Sequence, residues 1–66
     1  MSIMSTQIIR DQKGKVLAYV QQVGKDRWNV LDRKGALVAR EFFGETYTAT
    51  GKYIGKGRQG LTLVKR

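Results

Sequence analysis

Five basic residues lie beside a short motif that recurs three times, and the chemistry open to them is anion binding. The motif begins at Asp11, Asp32 and Thr48, and has two variable residues, a glycine, one further residue, two mainly aliphatic residues, and Ala or Gly. The basic residues beside the copies are Lys13, Lys15, Arg33, Lys34 and Lys52. Such side chains donate hydrogen bonds to phosphate oxygens and neutralise their charge. They form one site only if the fold brings the copies together.

Each copy of the motif predicts a tight β-turn. Asp at the first position accepts hydrogen bonds from nearby backbone N–H groups, and the glycine three residues later takes the positive φ that bulkier residues resist. Alternate turns of an antiparallel meander lie at the same end of the sheet. The three copies are therefore predicted to gather their basic residues along one edge.

The rest of the chain has the pattern of successive strands. Pro is absent, and most of the eight Gly residues separate runs rich in β-branched, aliphatic and aromatic residues. Helical periodicity is missing. The predicted strands are 6–10, 15–23, 27–31, 36–42, 46–49, 52–54 and 61–65. The sequence thus predicts an all-β antiparallel meander of six or seven short strands, with a flexible N-terminus at 1–5 and a single domain over 6–66.

Both faces of the predicted sheet carry apolar side chains. In the second strand, Val16, Ala18 and Val20 share one side. Leu17 and Tyr19 share the other. A sheet with one hydrated face alternates more cleanly, so we expect a strongly curled sheet, a small barrel, or a second face covered by another copy. A chain of 66 residues without Cys has a thin core, which also favours a homo-oligomer.

The net charge of +8 favours an anionic partner. DNA or RNA is the first candidate, followed by an acidic protein or membrane surface; the alternative is that the charge keeps a small β-protein soluble and protects its sheet edges. No apolar run approaches the ~20 residues of a membrane span, and the first residues do not resemble a signal peptide. We therefore expect a cytoplasmic protein that is not embedded in a membrane.

Catalysis and metal binding are poorly supported by the residue types. His and Cys are both absent, which removes the commonest general base, the thiol nucleophile and the usual transition-metal ligands. The two serines, Ser2 and Ser5, lie in the predicted flexible terminus. Asp11 and Asp32 are better explained as turn residues than as a catalytic pair. The sequence predicts a protein that is not an enzyme and has no cofactor.

A glycine-rich segment at Gly55–Gly60 formally matches the G-x-G-x-x-G pattern of dinucleotide-binding loops. Such loops need a following helix whose N-terminus holds a pyrophosphate, and the residues that follow here look like a strand. A flexible basic loop is the simpler interpretation. Lys56 and Arg58, beside its backbone N–H groups, would nevertheless suit a phosphate.

Two aromatic residues lie next to basic ones, Trp28 after Arg27 and Tyr53 after Lys52. On a sheet surface, aromatic rings can stack on bases while cations hold phosphates. Trp28 is better explained as a core residue of a small protein. Tyr53, beside a basic turn, is the better candidate for the surface.

The repeated motif resembles one found in small bacterial proteins of proteobacterial genomes and mobile elements, built from hairpin repeats of the form D-x-x-G-x-x-(L/V/I)-G. The resemblance covers Ile8 to about Leu63. Ala18 and Ala39 stand where that pattern often has Gly, and Thr48 replaces its third Asp. The resemblance implies hairpin architecture and brings no catalytic or binding residues.

These observations lead to one hypothesis and two alternatives. The hypothesis is a small basic β-domain that binds nucleic acid through phosphate contacts with little sequence specificity. The first alternative is a homo-oligomeric interaction module, such as a phage or plasmid accessory protein, that docks an acidic protein; the second is capture of a small anionic ligand. The candidate binding residues are Lys13, Lys15, Arg33, Lys34, Lys52, Tyr53, Lys56 and Arg58.

Overall fold

The structure, a computed structural model that describes residues 3–64, consists of one six-stranded antiparallel sheet and a short 3₁₀ helix. The strands follow chain order across the sheet, from β1 at one edge to β6 at the other. Their bounds are β1 Ser5–Arg10, β2 Val16–Gly24, β3 Arg27–Asp32, β4 Leu37–Phe42, β5 Glu45–Thr48 and β6 Tyr53–Lys56; the 3₁₀ helix, η1, is Gly60–Leu63. The all-β meander predicted from the sequence is confirmed.

The two turns that begin with Asp have the same hydrogen bonds. One carboxylate oxygen of Asp11 accepts from the N–H groups two and four residues later, both at 2.9 Å. The Asp32 carboxylate does the same at 2.9 and 3.0 Å. Gly14 and Gly35 follow with φ of +84° and +88°. In both hairpins the register shifts by one residue beside the turn, with the extra residue in the strand that follows it, so the repeated motif specifies a repeated geometry.

The third turn keeps this geometry with a weaker acceptor. The Thr48 hydroxyl accepts from the Lys52 N–H at 3.0 Å, and it makes a second hydrogen bond to the Thr50 hydroxyl instead of to a backbone N–H. Gly51 has φ of +96°, and the same register shift occurs, with the extra residue in β6 after the turn. Thr therefore replaces Asp without changing the path of the chain.

The core lies on one face of the sheet, under the C-terminal segment. Val20, Val30 and Ala39 stand opposite one another on adjacent strands and are almost completely buried. Leu63 and Val64, from and just after η1, contact this cluster. We call this side the covered face. Its core is thin, as the length of the chain predicts.

Two fold predictions are wrong. The expected final strand, 61–65, is not formed: residues 61–63 belong to η1 and Val64 follows it, while Lys65 lies outside the described residues. The Gly60 N–H donates to the buried Glu41 carboxylate on the covered face, which draws this segment across the sheet instead of along its edge. The sheet is also neither strongly curled nor closed, because β1 and β6 each pair with a single neighbour. The apolar groups of the second face remain on the surface, and the homo-oligomer stays a prediction.

The start of the sheet overlaps the N-terminus that was expected to be flexible. Strand β1 begins at Ser5, and the Met4 N–H donates to the Gln22 carbonyl at 2.7 Å. Met1 and Ser2, also part of that expectation, lie outside the described residues. Among residues 3–64, no helix is long and apolar enough to cross a bilayer.

Candidate nucleic-acid interface

The three repeated turns lie at the same end of the sheet, because they join β1 to β2, β3 to β4 and β5 to β6 of a meander. Successive repeated turns are two strand spacings apart, about 10 Å. We call this end the turn edge. Its basic residues from the sequence analysis are all exposed: Lys13, Lys15, Arg33, Lys34 and Lys52.

The charge of the turn edge is only partly balanced. Asp11 and Asp32 are the acidic residues in these turns, and both carboxylates accept backbone N–H groups. Within residues 3–64 the one salt bridge joins Arg58 to Glu41, away from this edge. The spacing of neighbouring turns is close to the Debye length of ~10 Å at 0.1 M salt and slightly longer than the ~8 Å at physiological salt, so a polyanion that contacts two turns meets potentials that overlap in part.

One further cation at the turn edge was missed by sequence reasoning. Arg10, the last residue of β1, is exposed, and its guanidinium donates to the Gly14 carbonyl at 3.1 Å. This contact holds the side chain beside the first turn. Because Arg10 directly precedes Asp11, the first residue of the motif, the sequence could have indicated its place at the turn edge.

The glycine-rich segment is anchored to the covered face instead of forming a free loop. The Thr46 hydroxyl donates to the Gly57 carbonyl at 2.6 Å and accepts from the Gln59 N–H at 2.9 Å. A Cβ on Gly60 would lie 2.6 Å from a Val30 methyl, so this glycine is required by close packing. The glycine spacing that resembles a dinucleotide-binding loop therefore has a structural explanation.

The two basic residues of this segment differ. The Arg58 Nε donates to the Glu41 carboxylate at 2.9 Å, and its guanidinium lies 4.3 Å from the centre of the Trp28 ring. These contacts give Arg58 a structural part in holding the segment down. Lys56, by contrast, is exposed at the end of β6. Glu41 was missed by sequence reasoning, although an acidic residue at an inward position of an apolar strand was a usable signal.

The opposite side of the sheet has no segment over it within the described residues, and we call it the open face. The register places one row of residues across it, from strand to strand: Thr6, Gln21, Asn29, Arg40, Tyr47 and Tyr53. Trp28 is absent from this row because it contacts the core cluster on the covered face. Sequence reasoning missed Arg40 and its neighbour Phe42, since only strand pairing brings them beside Tyr47.

Tyr53 is about half exposed, with its ring 5.5 Å from that of Tyr47. Desolvation raises the pKa of its hydroxyl above the usual value, and the nearby Glu45 carboxylate raises it further. The hydroxyl therefore stays protonated at neutral pH. Tyr53 therefore places an uncharged aromatic ring, with a protonated hydroxyl group, on the open face.

Comparison with known protein families, curated proteins and solved structures finds no match for this chain. The interface is therefore interpreted from its own geometry and charge.

Proposed function

We propose that this protein is a small β-domain that binds nucleic acid through phosphate contacts, with little sequence specificity. The observation that carries the proposal is the turn edge, where three equivalent turns present exposed cations from distant parts of the chain. Much of protein–DNA hydrogen bonding goes to phosphate and sugar, and Lys and Arg make many of those contacts. Backbone contacts carry no direct sequence information, hence the low specificity.

Salt dependence is the first test. If about four phosphates are neutralised, log K should fall with log salt with a slope near −3.6 on duplex DNA and near −2.8 on a single strand. Fluorescence anisotropy of labelled oligonucleotides at several salt concentrations measures this slope. Affinity that does not change between low and physiological salt would reject phosphate contact as the source of binding.

Charge removal at the turn edge is the second test. Replacing Lys13, Arg33, Lys34 and Lys52 by Gln together should abolish binding at physiological salt while the melting temperature stays close to that of the wild type. The single variants Lys34→Gln and Lys25→Gln form a matched pair, because both lysines are exposed and Lys25 lies in the turn between β2 and β3, at the other end of the sheet. We expect Lys34→Gln to reduce the slope by about 0.9 and Lys25→Gln to leave it unchanged. Equal effects would mean that net charge, not the turn edge, governs association.

A second candidate function is a homo-oligomeric interaction module, and edge strand β1 favours it. Ile3, Met4 and Ile8, in or just before this strand, are all exposed. An exposed apolar edge can pair with the same edge of a second copy. Light scattering that gives a stable dimer, together with no gel shift of DNA or RNA, would support this candidate over the first.

A further inference from the structure

We propose that the preferred ligand is single-stranded nucleic acid, and that its bases stack on a ladder of aromatic rings on the open face. The inference rests on the proposed function and adds to it the strandedness of the ligand and a second contact surface. The aromatic ladder consists of Phe43, Phe42, Tyr47 and Tyr53. Bases in a duplex are stacked on each other and cannot reach such rings, whereas bases of a single strand can.

The ladder is continuous across three adjacent segments of the sheet. The ring centres of Phe43 and Phe42 are 5.1 Å apart, those of Phe42 and Tyr47 are 5.5 Å apart, and Tyr53 continues the series at the same distance. Phe43 is 63% exposed, Tyr53 48% and Phe42 39%. These rings stabilise one another at their edges, yet they leave large areas in contact with water, where a base can lie.

Basic residues accompany the ladder on the same face. The Arg27 guanidinium lies 6.0 Å from the Phe42 ring centre, and Arg40 stands directly opposite Tyr47. Arg27, Arg40, Asn29 and Phe42 line part of a shallow cleft of about 390 Å³, which Trp28 and Glu41 also border. Arginine here can hold a phosphate, and the Asn29 amide can hydrogen-bond a base edge.

The charge of this face favours a polyanion over a second copy of the chain. Glu45 is the one carboxylate that the strand register places on the open face within residues 3–64, and it stands opposite Lys56. Two copies joined face to face would bring Arg27 and Arg40 of each against the cations of the other, and like charges brought together oppose association. A single-stranded polyanion meets the same residues with complementary charge.

Backbone conformation gives an independent reason to assign Phe43 to a ligand. Phe43 and Gly44 form the two-residue turn between β4 and β5, with φ of +51° and +75°. Positive φ at both positions is typical of a turn that prefers Asn-Gly or Asp-Gly. A bulky residue is strained there, and such strain concentrates at binding sites. A ligand that stacks on the exposed Phe43 ring would explain why a bulky residue occupies this position at a cost in stability.

The open face also connects the ladder to the turn edge. A second cleft, again about 390 Å³, is lined by Tyr19 and Leu31 together with Arg33 and Lys34 of the middle turn. One strand of nucleic acid can therefore place phosphates on the turn edge and its bases further along the same face. The two surfaces form one path instead of two separate sites.

The test compares three ligands of equal length: a twelve-nucleotide oligothymidylate, an abasic phosphodiester oligomer with the same number of phosphates, and a DNA duplex. We expect the wild type to bind oligothymidylate more tightly than either of the others. Phe42→Ala and Tyr53→Ala should each weaken oligothymidylate binding by about 5-fold or more, the usual effect of losing one base–aromatic stack. Neither variant should change binding of the abasic oligomer, which has no base to stack.

Three further variants separate stacking from damage to the fold. Tyr53→Phe should restore oligothymidylate binding, because the ring is retained. Ile8→Ala removes an exposed apolar side chain from the same face but outside the ladder, and should have no effect. Phe43→Asn should weaken oligothymidylate binding while raising the melting temperature, a combination that a folding defect cannot produce.

The outcomes distinguish this inference from the proposed function. Equal affinity for oligothymidylate and the abasic oligomer, unchanged by Phe42→Ala, would overturn the stacking inference and leave the phosphate contacts standing. No binding of any of the three ligands would remove the proposed function itself. A wild-type dimer that Phe42→Ala converts to a monomer would also overturn the inference, because a second copy would then cover the ladder.

Discussion

The carboxylate of Glu41 holds the C-terminal segment against the sheet, and replacing it by Gln tests this directly. Glu41 is only 3% exposed, and its two oxygens accept from the Arg58 Nε at 2.9 Å and the Gly60 N–H at 2.8 Å. Gln has the same shape but one acceptor oxygen. Its amide nitrogen must face one of the two donors, so one buried hydrogen bond is lost and two donors are left facing each other.

The expected loss of stability depends on how far Glu41 and its partner Arg58 are exposed to water. Removing one member of a fully buried ion pair costs about 3–5 kcal/mol. The Arg58 side chain is 51% exposed and remains partly hydrated, which lowers the cost. A hydrogen bond to a charged group contributes about 1.5–3 kcal/mol. We therefore expect Glu41→Gln to lower the free energy of unfolding by about 2–3 kcal/mol, a large part of the total for a domain this small.

Thermal unfolding followed by circular dichroism is the assay. A loss of this size corresponds to a fall in melting temperature of about 10–20 °C for a chain of this length. Asp26→Asn is the matched control, because it makes the same change of charge at an exposed carboxylate and should stay within about 0.5 kcal/mol of the wild type. If the two variants melt within about 2 °C of each other, the Glu41 carboxylate does not anchor the segment and this reasoning fails.

Three further substitutions test the turns and the packing, each by thermal melting. Asp32→Ala should destabilise the fold by about 1–2 kcal/mol, because two backbone N–H groups lose their acceptor; an unchanged melting temperature would deny the carboxylate its role in the turn. Thr48→Asp should stabilise the third turn by up to about 1 kcal/mol by supplying the stronger acceptor of the other two copies, and should weaken oligonucleotide binding because it adds negative charge at the turn edge. Gly60→Ala should cost about 1–3 kcal/mol, since its Cβ would lie 2.6 Å from a Val30 methyl and 2.9 Å from a Glu41 oxygen; a neutral result would mean that the segment moves away from the sheet freely.

Local patterns predicted the hairpins well because each turn is specified by residues adjacent in the chain. Asp or Thr, followed three residues later by Gly, fixes the hydrogen bonds and the positive φ of the repeated turns. The meander then follows, since short turns join neighbouring antiparallel strands. The grouping of the three turns at one end required no further information.

The last strand and the curvature of the sheet were predicted wrongly because neither is decided locally. Residues 61–65 have the composition of a strand, but Gly60 is held by Glu41, nineteen positions away along the chain. Apolar groups on both faces were taken to require a closed or strongly curled sheet. The structure instead covers one face with the C-terminal segment and leaves aromatic residues exposed on the other.

By itself, the sequence determined the hairpins of the six-stranded meander and five cations of the turn edge, because both depend on short-range turn chemistry and on alternation along a strand. Tertiary structure alone decided which face is covered, that Arg58 lies on Trp28, and that Phe42, Tyr47 and Tyr53 form one ladder. The physical reason is that packing and strand register set distances between residues far apart in the chain, and no local preference encodes those distances.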